Sequence, residues 1–139
     1  MVDPVPLYQA VEAALKTVPG VTVYDGYVPT KVPVDPSGYI LPYIVNWFGV
    51  GNNPDEPSAC GIHDTDTLIL DFQTTIVGAN PAICRAVTGP VRSALTNLRV
   101  GTGRVKPNPD GFNQQAPILD TTVTPARFML PLQWRLTTN

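Results

Sequence analysis

Residues 66–95 read DTLILDFQTTIVGANPAICRAVTGPVRSAL, and the fold turns on how this run divides. From Thr67 to Val77, Leu68, Leu70, Phe72 and Ile76 alternate with Asp71, Gln73 and Thr75, a period of two that predicts a strand with one dry face and one wetter face. Asp71 reads as a sheet-surface acid or the partner of an arginine. Gly78-Ala79 ends the strand, and Asn80-Pro81 opens a helix: the asparagine accepts an orphan amide, and proline's missing N–H is harmless in the first turn. Ile83, Ala86, Val87, Val91, Ala94, Leu95 and Leu98 then recur at helical spacing as far as about Arg99. Gly89-Pro90 falls in the middle, where proline removes one hydrogen bond and presses on the Ala86 carbonyl, so a kink or a break into two pieces is expected. Arg85, Arg92 and Arg99 are seven residues apart and project together, either as a solvated face or as guanidiniums meeting carboxylates on a neighbouring subunit.

Outward from this run, the N-terminal side opens on Asp3-Pro4, another cap followed by proline. Leu7, Val11, Ala14, Leu15 and Val18 make a first amphipathic helix, which Pro19-Gly20 stops. Val21 to Tyr24 reads as a short strand, followed by a proline-rich loop over about 29–38. Tyr39 to Phe48, YILPYIVNWF, is a longer strand apolar on both faces. A polar loop covers about 49–66, and a second extended loop, without periodicity, covers about 101–126. The C-terminal run RFMLPLQWRL puts Phe128, Leu130, Leu132, Trp134 and Leu136 on one face of a final strand.

At 139 residues the chain is expected to be one domain with a core that needs no disulfide, and Cys60 and Cys84 read as thiols of a reducing compartment. A net charge of −2, with bases spread from Lys16 to Arg135, argues against nucleic-acid binding. No apolar run approaches the roughly 20 residues that cross a bilayer, and residues 1–9 lack the features of a signal peptide, so a soluble, cytosolic product is expected. Only 14% of residues are charged, below the roughly 25% of ordinary soluble domains, which hints at a surface covered by other subunits.

The cluster Cys60, His63, Asp64 and Asp66 is the one place where chemistry suggests itself. Zinc needs three or four ligands, and only half a motif is present unless the helix bearing Cys84 packs over the loop. A Cys/His nucleophile pair lacks an orienting third group. Gly49-Val50-Gly51 and Gly101-Thr102-Gly103 do not continue into a dinucleotide or phosphate fingerprint. The expectation is therefore no catalytic residue, no metal and no cofactor, with a small metal-dependent hydrolase using Cys60, His63 and Asp64 as the minor alternative.

Pro42 and Pro131 fall inside the two long apolar strands, and proline cannot donate to a ladder, so each strand is expected at a sheet edge or to carry a bulge there. Long apolar edges invite another chain. Tyr43, Trp47 and Trp134 on these strands, with Arg85, Arg92 and Arg99, are the candidate subunit-interface residues.

In its order of elements, and in the wording of LYQAVEAALKTVPGVTVYDGYVP and residues 66–95, the chain resembles the tail terminator, or tail-completion, proteins of long non-contractile-tailed bacteriophages. The resemblance implies an α+β subunit with a mostly antiparallel sheet of about four strands and two main helices packed against it. It implies a homo-oligomeric ring, a hexamer, at the head-proximal end of the virion tail, assembled in the host cytoplasm. Such a ring caps the tail tube protein, ends its polymerisation and meets the head-to-tail connector protein. DNA passes through the lumen as cargo, which the mildly acidic balance suits. Another connector ring or a tube subunit is the nearest alternative.

Overall fold

The computed structural model describes residues 2–53, 67–111 and 116–138. In chain order the elements are α1 (Val5–Leu15), β1 (Thr22–Asp25), β2 (Tyr43–Phe48), β3 (Leu68–Gly78), α2 (Pro81–Leu95), β4 (Arg99–Val100), β5 (Gly103–Pro107), β6 (Ile118–Asp120) and β7 (Arg127–Thr138). The strands form one sheet in the order β1-β2-β3-β7-β5-β4, with β6 also pairing β7. Among the described residues only the β1–β2 pair is parallel. The class is α+β with a mostly antiparallel sheet, as expected, and the described residues hold two helices and seven strands where about four strands were expected.

Both helices begin as their sequences dictate. The Asp3 carboxylate accepts the Val5 amide at 3.0 Å, and the Asn80 side chain accepts the Ile83 amide at 2.9 Å. Helix α2 runs from Pro81 to Leu95 through Pro90, so of the expected kink or break, the break does not occur. Ala86 and Pro90 both face outward, so the carbonyl that loses its amide partner there is on the solvent side of the helix. The helix ends at Leu95, and Asn97 takes a left-handed φ of 64° in the turn into β4. Arg99 therefore belongs to a strand and does not extend the arginine row of α2.

The helices cover one face of the sheet. Leu7, Val11 and Leu15 of α1 and Cys84, Val91 and Leu95 of α2 pack with Ile44, Leu70, Phe72, Ile76, Leu130, Leu132, Trp134 and Leu136 in one buried cluster. These sheet residues share a face because Ile44 lies opposite Ile76, Ile76 opposite Leu130, and Phe72 opposite Trp134. Full burial of each large aliphatic or aromatic side chain contributes about 1.5–3 kcal/mol, so this face dominates the stability of the fold.

The two proline-marked strands are interior, which corrects the edge assignment. Pro42 lies just outside β2, which begins at Tyr43 and is flanked by β1 and β3. Residues 39–42 form no part of it; Ile40 makes only an isolated bridge to Val34. Pro131 lies within β7, opposite Thr75, on a strand paired to β3 along one side. Along its other side β7 is paired by β5 at residues 134–136 and by β6 at residues 127–129. Among the described residues, β5 and β6 form one outer line interrupted between Pro107, opposite Trp134, and Ile118, opposite Met129. Gln133 turns its carbonyl outward to accept the Asn108 amide at 3.0 Å, and by the two-residue alternation Pro131 turns its nitrogen the same way, into the interruption. The missing donor thus sits where the outer line is broken. The segment expected as loop at 101–126 accordingly carries both β5 and β6.

The parallel pairing of β1 with β2 has a further effect. A parallel partner can be reached only by returning the chain along the strand direction, so residues 26–42 form a long connection. Part of it lies on the face opposite the helices, where Val32 and Ile40 pack with Tyr43, Val45, Val77 and Met129 in a second, smaller cluster.

Candidate functional site

The helix-free face divides into an apolar half and a charged half. On the charged half Arg135 lies opposite Asp71 in the β3–β7 register, with Nε and a terminal nitrogen donating to its two carboxylate oxygens at 2.7 and 3.1 Å. Asp110 joins the same guanidinium at 3.0 Å. The two carboxylates push the Arg135 guanidinium further towards its charged form. The acid on the polar face of β3 is thus bound to an arginine across the strand pair.

On the apolar half a groove of about 320 Å³ crosses β2, β3 and β7. Tyr43, Val45, Val77 and Met129 form its floor with Gln73 and Thr75, the crossover connection contributes Val28, the end of β6 contributes Asp120, opposite Arg127 of β7, and the β6–β7 connection contributes Val123. Trp47 lines it and remains 42% exposed. Tyr27, Val28, Val34, Tyr39 and Leu41 of the crossover connection are also exposed, and of these Val28 lines the groove.

Arg127 is the charged component of the groove. It is only 8% exposed, and one of its terminal nitrogens donates to the Tyr43 hydroxyl at 2.9 Å. Its Nε finds no partner, and no carboxylate forms an ion pair with it, among the described residues. Asp120 is held below the ordinary carboxylate range first by the Thr122 hydroxyl at 2.6 Å and amide at 3.0 Å, with the Arg127 charge a smaller contribution.

The six residues singled out as interface candidates do not come together. Tyr43 and Trp47 lie in the groove. Trp134 is 2% exposed in the main core on the opposite face, which removes it as a contact residue; its Nε1 has no partner among the described residues. Arg85 and Arg92 lie exposed on α2, and Arg99 is exposed on β4. Arg127 and Met129 were missed because the terminal strand was read from its even-numbered apolar face alone. The signal was present: a charged residue opens that strand on the face shared with Tyr43, Val45 and Val77.

Cys60, His63, Asp64 and Asp66 lie outside the described residues. Among the described residues no three of histidine, cysteine, aspartate and glutamate gather as metal ligands would, and no helix is long and apolar enough to cross a membrane. Cys84 is a buried thiol, pushed above its ordinary pKa chiefly by loss of water. Compared with known proteins, the chain matches no family model and no curated protein.

Proposed function

We propose that this chain is a structural virion subunit that closes into a ring, a homohexamer, on the tail tube of a long non-contractile-tailed bacteriophage. The ring ends polymerisation of the tube protein and forms the tail side of the head-to-tail joint, and the genome passes through its lumen. The observation that carries the reading is the helix-free face, with an apolar groove lined in part by the exposed Trp47 and Val28. An exposed apolar surface of this kind is what an assembling subunit keeps available for a partner. The identity proposed for the assembly rests on the resemblance of the sequence's order of elements to that of tail terminators.

The test has two parts. Native mass of the purified protein is expected to give a discrete ring, and particles made without the protein are expected to carry tails of uncontrolled length that fail to join heads. Polymerisation of the purified chain into long tubes would make it a tube subunit instead. Normal, joined tails in its absence would refute the terminator role.

A further inference from the structure

Nine lysines and arginines are spread along the chain, and the sheet gathers four of them at one end. Arg99 of β4 lies opposite Arg104 of β5, and Lys106 of β5 lies opposite Arg135 of β7. Arg104 and Lys106 are two residues apart on one strand, so all four stand on the helix-free face of the sheet. Asp71 and Asp110 already compensate Arg135. The other three are exposed and form no ion pair among the described residues. Arg104 donates to the Asn97 carbonyl at 2.9 Å and Lys106 to the Asn97 side-chain oxygen, both neutral acceptors. Like charges directly opposite one another weaken a strand pair, so the Arg99–Arg104 register is a local cost that packing does not repay. Arg104, Lys106, Arg135, Thr137, Pro107 and Pro109 line a cavity of about 310 Å³ with no acid among the described residues of its wall.

We propose that this end of the sheet binds the phosphate backbone of duplex DNA without regard to sequence. The contact goes beyond the ring reading and does not depend on it. Backbone phosphates come in a row, one charge each, and the cations are set in a matching array, about 5 Å apart across β4 and β5 and about 6.8 Å apart along β5. An acidic protein segment would bring apolar side chains, and the cavity wall has none of the aromatic or methionine residues that seat them. Without an aromatic in the wall there is also no platform for the stacked bases of a single strand. Cations that touch only phosphates hold a duplex and read no bases. The net charge of −2 does not oppose the contact, because charges beyond about 8–10 Å are screened at ordinary salt and the local cluster sets the field.

The experiment follows the binding of two fluorescein-labelled DNA duplexes of unrelated sequence by anisotropy over a range of salt concentrations. Wild type is expected to bind both equally, with log affinity falling against log salt at a slope of about −2.7, the value for three phosphates. Arg104→Gln combined with Lys106→Gln is expected to bring the slope to about −0.9 and to weaken binding at low salt by at least about tenfold. Arg104→Lys keeps the charge and is expected to keep the binding. Circular dichroism checks the fold; should the combined variant fail to fold, Arg99→Gln decides, with an expected slope of about −1.8. No binding at low salt, a slope unmoved in the folded variants, or a marked preference for one duplex overturns the proposal. Tighter binding of polyglutamate than of DNA at equal charge also overturns it, and assigns the surface to an acidic protein. Each of these results leaves the ring reading standing, whereas a monomeric wild type that binds DNA as described overturns the ring reading alone.

Discussion

Thr74 and Asn46 are cross-strand partners on the helix-covered face, both fully buried, and the Thr74 hydroxyl donates to the Asn46 side-chain oxygen at 3.1 Å. The Asn46 amide nitrogen has no partner among the described residues, so this one bond is what compensates the pair. Thr74→Val keeps the shape and leaves the asparagine oxygen stranded, which costs about 1–3 kcal/mol. With about 2.1 cal/mol/K of unfolding entropy per residue over 139 residues, each kcal/mol corresponds to about 3.4 °C. The melting temperature is therefore expected to fall by about 3–10 °C. Adding Asn46→Val removes the stranded acceptor and the unpaired amide together, so the double variant is expected within about 1 kcal/mol of wild type or above it. Thermal and urea unfolding of the four proteins, with the urea slope checked for constancy, measures the cycle. A neutral Thr74→Val, or two substitutions whose costs simply add, would refute the idea that one hydrogen bond holds this pair in an otherwise apolar layer.

The remaining predictions concern the outer strands, the buried thiol and the helix arginines. A Cβ on Gly103 would lie 1.9 Å from the Thr137 carbonyl oxygen, so Gly103→Ala is expected to drive β5 off β7 at a cost of about 3 kcal/mol; unchanged amide protection over residues 134–136 would contradict this. In a Cys60→Ser background, Cys84 is expected to react with a thiol reagent only as fast as the protein opens. Because burial raises its folded pKa above the ordinary 9.0, its contribution to stability is complete below that pH and declines as pH rises towards the folded value; urea melts at pH 8 and pH 10 measure the difference. Arg85→Glu, on the exposed face of α2, is expected to change stability by no more than about 0.5 kcal/mol. If that helix also meets a neighbour, the same variant lowers the native mass of the assembly; if the mass is unchanged, α2 is simply a solvated face.

What could be read in advance followed periodicity. The alternation of Leu68, Leu70, Phe72 and Ile76, the cap at Asn80-Pro81 and the spacing of Leu7, Val11 and Leu15 each report a face against the core, and each element stands where they put it. Strand β5 was not legible, because Gly103–Pro107 has a single buried side chain, Val105, and too few residues for alternation to register. Pro131 was read correctly as intolerant of a ladder partner and wrongly as a mark of an edge strand. The partner is missing only locally, where the outer line is interrupted, and that interruption depends on residues far from the proline in sequence. The groove was half legible. Tyr43 and Trp47 were found as aromatics on an apolar strand, but the burial of Arg127 depends on β2 and β7 both pairing β3, a relation no local pattern encodes.

The place of β7 in the sheet bears on how the protein is made. This strand holds β3 on one side and both β5 and β6 on the other, yet it is the last of the seven to be synthesised. Until residues 127–138 exist, β3 is a bare edge and the apolar undersides of both helices lack half their floor. A nascent chain can settle its first helix and the β2–β3 pair on the ribosome, but closure of the sheet waits for residues 127–138 and involves contacts distant along the chain. The sheet is therefore complete only after residues 127–138 have been translated.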